Sequence, residues 1–159
     1  MALLDVIFDS EAFERSLSEK IARFPVVMEG GVRAIGKILL ERVIENTPKP
    51  GDPDEALNIE YVRTGRLVGG WGKAGRELDV LVPYGSEADG DFNWIRTDNE
   101  IGFVADNNVP YAKAVEEIGA GLVVGVTWRG GRHMVENAVN NTRVDGTIER
   151  ELGAVWRTL

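Results

Sequence analysis

The chain contains no cysteine. That excludes disulfides and every zinc or redox site built on thiolates, and it suits a reducing compartment. There is one histidine, His133, with no second histidine or cysteine to complete a common zinc set. No apolar run approaches the ~20 residues that a membrane span needs. The opening "MALLDVIFDS" lacks a basic region, and Asp5 interrupts its apolar part, so it does not read as a secretory leader. Positive charge is also scarce: 18 Lys and Arg stand against 26 Asp and Glu, a net charge of −8. Such a chain does not wrap nucleic acid by neutralising phosphates. An acidic surface instead repels a duplex and lets it slide past. No phosphate-cradling loop ending in Lys-Ser/Thr occurs. The glycines at 69, 70, 72 and 75 precede a predicted strand instead of joining a strand to a helix, so they imitate a dinucleotide fingerprint poorly.

What is present has ordinary globular proportions. The 159 residues are 43% hydrophobic and 28% charged, enough for one α+β domain over 1–159 with its own core. Ser10 reads as an N-cap, with Glu11 and Glu14 in the first turn. Phe13, Leu17, Ile21 and Phe24 recur at helical spacing, and Pro25 predicts a break, a kink or the first turn of a second helix. From Val26 to Asn46 the helical pattern is strong. Met28, Val32, Ile35, Leu39 and Val43 form the predicted core stripe. Leu40 and Ile44 fall on the nominally wet side, where they read either as a small contact with a loop or as a subunit contact.

Residues 47–60, "TPKPGDPDEALNIE", carry three prolines, a glycine and four acids and predict a mobile loop. The corner "TGRLVGGW" follows. Thr64 can cap a short helical turn, Gly65 relieves the backbone, Leu67 points inward, and Trp71 is expected to start an extended segment. Leu78, Val80 and Val82 alternate with Glu77, Asp79 and Leu81 and predict a strand. Residues 92–105 predict a hairpin turning at Asp98-Asn99, with Trp94 opposite Phe103 and Phe92 opposite Ala105. A short helix over "YAKAVEEIG", a further strand and turn in 120–131, a helix from His133 to Asn141 and a last helix capped by Thr147 complete the predicted elements. The fold class expected is long amphipathic N-terminal helices on a small, mostly antiparallel sheet, with short C-terminal helices.

Candidate chemistry is thin. Asp89 to Glu100 imitates a calcium loop, but Trp94 stands where that loop needs glycine, and its flanks read as strands. Glu116 and Glu117 point about 100° apart on a helix and make no obvious acid–base pair. Nothing selects a catalytic residue, a metal ligand or a cofactor. A small hydrolase using carboxylate pairs stands as a remote alternative, and a calcium-binding module as a weaker one.

The order of features carries more than any single motif. Amphipathic N-terminal helices, a proline-rich loop, the corner Thr64, Gly65 and Leu67, a sheet, then Tyr111, Ala112, Val115, Glu116 and Gly119, then "RHMVENAV" at 132–139 make up the series. It resembles the tail-completion, or head–tail joining, family of long-tailed double-stranded DNA bacteriophages. Val68 and Gly70 depart from that family's basic residue and serine after the corner. Its proline-phenylalanine entry to the late helix is missing. One extra residue between Tyr111 and Gly119 leaves either Glu116 or Glu117 as the equivalent acid.

The resemblance implies a non-catalytic virion protein, assembled in the host cytoplasm. Identical copies would form a ring in the neck, and the genome would pass through the lumen without specific binding. Implied partners are further copies, the connector or adaptor, the tail terminator and the tail tube, with no membrane. A tail-terminator ring is the alternative within the same setting. Leu40, Ile44, Thr64, Gly65, Arg66, Leu67, Tyr111 and Glu116 are the expected subunit-interface residues.

Overall fold

The computed structural model describes residues 10–50, 65–84, 89–97, 100–110, 112–113, 120–123, 126–129 and 133–158. The architecture is mixed, as expected: a long N-terminal helix, small antiparallel sheets and short C-terminal helices. Of the loop expected at 47–60, residues 51–60 lie outside the described residues. Thr47 is fully buried at the end of the first helix, where its hydroxyl donates to the Val43 carbonyl at 2.6 Å.

Helix α1 runs unbroken from Ser10 to Asn46 and includes Pro25. Of the alternatives expected at Pro25, a break and the start of a second helix are therefore absent. Proline removes the N–H that would bond the Ile21 carbonyl, at about 3 kcal/mol in a helix interior. Pro25 is exposed, so water can reach the freed carbonyl. The C-terminal half of α1 lies on the sheet and on the last two helices. Gly36 allows this approach, because a Cβ there would stand 2.5 Å from the Phe103 ring.

The corner forms two short helices, α2 (Arg66–Gly69) and α3 (Gly72–Leu78). Trp71 lies between them, buried, and does not begin a strand. The strand predicted from Leu78 to Val82 is also absent. Ala74, Gly75 and Leu78 are buried at helical spacing, and Asp79 ends α3 in the left-handed conformation (φ 57°). Leu78, Val80 and Val82 still meet the core, through a helix end and the chain after it. A short alternation cannot separate that arrangement from a strand.

Strands β1 (Gly90–Arg96) and β2 (Ile101–Asn107) pair antiparallel in the predicted register, Phe92 with Ala105 and Trp94 with Phe103. The predicted turn residues, Asp98 and Asn99, lie outside the described residues. One face carries stacked Phe92 and Phe103 rings, 5.2 Å between centroids, with Trp94 edge-on to both. That face meets α1. Strands β3 (Ala120–Val123) and β4 (Val126–Arg129) form a second antiparallel pair. Helices α4 (Met134–Val144) and α5 (Thr147–Thr158) form where the late helical patterns predict, and they pack on α1.

The core joins Leu40, Val43 and Ile44 of α1 with Leu67, Val68, Trp71 and Leu78, Phe92 of the sheet, and Met134 and Ala138 of α4. Each such aliphatic or aromatic side chain contributes roughly 1.5–3 kcal/mol by leaving water. Ion pairs frame the packing. Arg96 grips Glu29 with two bonds of 2.8 and 2.9 Å and lies over the Trp94 ring at 4.8 Å, while Arg33 approaches the same ring at 4.9 Å. The Arg96 guanidinium holds the Glu29 carboxyl below its ordinary pKa.

Candidate functional site

The glycine-rich corner is turned inward. Gly65 adopts φ 76°, a left-handed conformation that residues with a Cβ rarely take, and a Cβ there would strike the Tyr84 ring at 2.5 Å. Arg66 is half-exposed and grips Asp89 through two bonds of 2.8 and 2.7 Å. That hydrogen-bonded guanidinium lowers the Asp89 pKa. The Leu67 carbonyl accepts from the Asn107 amide at 2.7 Å, and Asn107 in turn accepts from the Val109 N–H at 3.2 Å. Gly90 and Gly70 approach so closely that a Cβ on Gly90 would lie 2.1 Å from the Gly70 carbonyl oxygen. The corner thus clamps its own chain to the ends of β1 and β2.

This changes the expected interface. Leu40 and Ile44, placed on the wet side of α1 by the sequence, are 5% and 8% exposed and belong to the core of their own chain. They face neither solvent nor another subunit, because α2, α3, the sheet and α4 wrap more of the helix than a one-sided stripe allows. Leu67 is buried likewise, and Gly65 packs on Tyr84. Thr64, Tyr111 and Glu116 lie outside the described residues. Of the eight expected residues, Arg66 is the described one that keeps a substantial share of its side chain at the surface.

The exposed apolar surface is elsewhere. Every residue from 11 to 26 is exposed. These 16 residues extend about 24 Å along the helix at 1.5 Å each. Phe13, Leu17, Ile21 and Phe24, which recur at helical spacing in the sequence, are 53%, 46%, 64% and 40% exposed. At the inner end the Phe24 ring meets Trp156 of α5 at 6.4 Å, and Trp156 is itself 66% exposed. Lys20, Ile21, Phe24 and Trp156 line a shallow recess there. Helical spacing was visible in the sequence. Its exposure was not, because a stripe awaiting a partner and a stripe facing a core have the same period.

The decoys resolve into local structure. Asp89 pairs with Arg66 and Asp91 with Lys73 at 2.6 Å, and the segment from Gly90, Asp91 included, is strand β1. His133 starts α4 in the left-handed conformation and its Nδ1 lies 3.0 Å from Glu136. Among the described residues, no group of three or more histidines or acids could hold a metal ion. Among the same residues, no helix is long and apolar enough to cross a membrane. Comparison with protein-family models, curated proteins and solved structures found no match.

Proposed function

We propose that this chain is a structural subunit of a phage neck, a head–tail joining or tail-completion protein that assembles as a ring around the DNA channel. The observation that carries this reading is the exposed apolar stripe of α1. A helix of 16 exposed residues with four large apolar side chains in register is a surface built to be covered. A ring requires two unlike, complementary patches on each subunit. The stripe, continued by Trp156, supplies one of them in place of Leu40 and Ile44. The described elements run from long helix through corner and hairpin to late helices, which is part of the order on which the resemblance rests. The net charge of −8 suits a lumen that gives phosphates nothing to bind.

In this role the chain belongs to the virion and is assembled in the host cytoplasm, with connector, terminator and tube proteins as neighbours. The test is electron microscopy of the purified chain mixed with DNA-filled heads and with tails. Rings of this chain at the junction are expected. Leu17→Asp with Ile21→Asp should keep the circular dichroism of the parent and fail to join heads to tails. Functional particles whose necks lack the chain, or turnover of a substrate by the purified chain, would overturn the reading.

A further inference from the structure

We infer that in the free chain residues 10–26 of α1 pair with the same segment of a second copy, antiparallel about a two-fold axis. Three observations converge on that occupant. The first is the width of the stripe. At 100° per residue Phe13, Leu17, Ile21 and Phe24 span roughly 80° of the helix circumference, the narrow seam of a helix–helix pair rather than the broader face that beds on a globular core. The partner surface is therefore another helix with a matching seam. Among the described helices, the exposed stripe of equal length is this segment's own.

The second observation is area. At about 150–250 Å² per aromatic side chain, Phe13, Phe24 and Trp156 together present roughly 300 Å² at their stated exposures. With Leu17 and Ile21 added, two copies offer on the order of 1,000 Å², where specific interfaces begin. A single copy leaves all of it in water.

The third is Lys20, which sets the direction. Phe13, Leu17, Lys20 and Phe24 follow the 4-3-4 spacing of a seam, with one cation inside it. A parallel, in-register pair would set Lys20 against its own copy, ammonium to ammonium. The antiparallel register sets Phe13 across from Phe24 of the second copy, and Lys20 across from its Leu17. There the aliphatic stem of Lys20 lies on the leucine and the ammonium reaches water. Each end of the pair then closes with a Phe–Phe contact, and one of those rings also touches Trp156.

A two-fold pair closes on itself. If the chain also builds a neck ring, the pair must open for the ring to form, which would hold free subunits apart until heads and tails are present. The pairing itself does not rest on the neck reading.

Light scattering of the purified chain is expected to give twice its 17.5 kDa mass. A monomer, or rings formed by the chain alone, would overturn the inference. Leu17→Glu with Ile21→Glu should halve the mass without changing the helical signal, since both residues are exposed; a persisting dimer would place the contact elsewhere. Direction is read by cross-linking, which the cysteine-free sequence permits. Ser16→Cys and Arg23→Cys lie seven residues apart on one flank of the seam. Neither single variant should oxidise to a linked pair, whereas an equal mixture should, through position 16 of one copy and 23 of the other. Self-linking of either variant alone, or no link in the mixture, would rule out the antiparallel register.

Discussion

Individual side chains divide sharply into those that build the body and those that decorate it. Ile44 and Leu40 build it, so Ile44→Asp, which would bury a carboxylate without a partner, is expected to unfold the chain, and Leu40→Ala to cost about 2–5 kcal/mol in urea denaturation. Gly90 is equally constrained, by backbone contact: Gly90→Ala drives a methyl into the Gly70 carbonyl and should lower stability by about 1–3 kcal/mol or more, read as a fall in melting temperature. Asp145 offers a pH handle. Its carboxylate accepts from the Thr147 hydroxyl at 2.6 Å and backbone N–H at 3.0 Å, and from Arg42, tying the α4–α5 turn to α1. The Thr147 hydroxyl first, and Arg42 next, hold its pKa down to about 2 from an ordinary 3.8. A lowered folded pKa means a contribution present above 3.8 and lost as pH falls through about 2. Asp145→Asn should be less stable than the parent at neutral pH, and the gap should narrow across that window in acid denaturation monitored by circular dichroism. None of these four residues could be ranked from the sequence, since Leu40, Ile44 and Gly90 meet atoms far along the chain and Asp145, beside its neighbour Thr147, also reaches Arg42.

At the scale of elements, the sequence was read well where period and turn agreed and poorly where one signal stood alone. The β1–β2 register was legible because turn placement and aromatic alternation point to one pairing. Helices α4 and α5 were legible from apolar spacing and from Thr147 at the start of the last helix. The strand expected at 78–82 failed because Leu78, Val80 and Val82 alternate across a helix end. Pro25 misled by local rule, since α1 continues through it on an exposed stretch. That stretch yields a prediction. Pro25→Ala restores the N–H that the Ile21 carbonyl lacks and relieves up to about 3 kcal/mol locally. Amide exchange across residues 11–26 should slow, with little change in the melting temperature of the body, because none of those residues is buried.

For the whole molecule, the distribution of apolar surface is the fact that bears on function. The body folds around α1 from its middle onward, and the first half of that helix stands outside it. Truncation before Phe24 should accordingly leave the body folded, with near-parent near-ultraviolet circular dichroism, and remove both self-association and the joining of heads to tails. What the sequence determined by itself was the mixed fold class, the late helices, the hairpin register and the exclusion of thiolate chemistry, because these follow from composition and from periodicities of two and 3.6 residues. Only the tertiary structure decided which helical stripe is inside and which is outside. Leu40 and Ile44, on the nominally wet side of the pattern, lie inside, and Phe13, Leu17, Ile21 and Phe24 lie outside, because burial depends on where other elements lie against a helix.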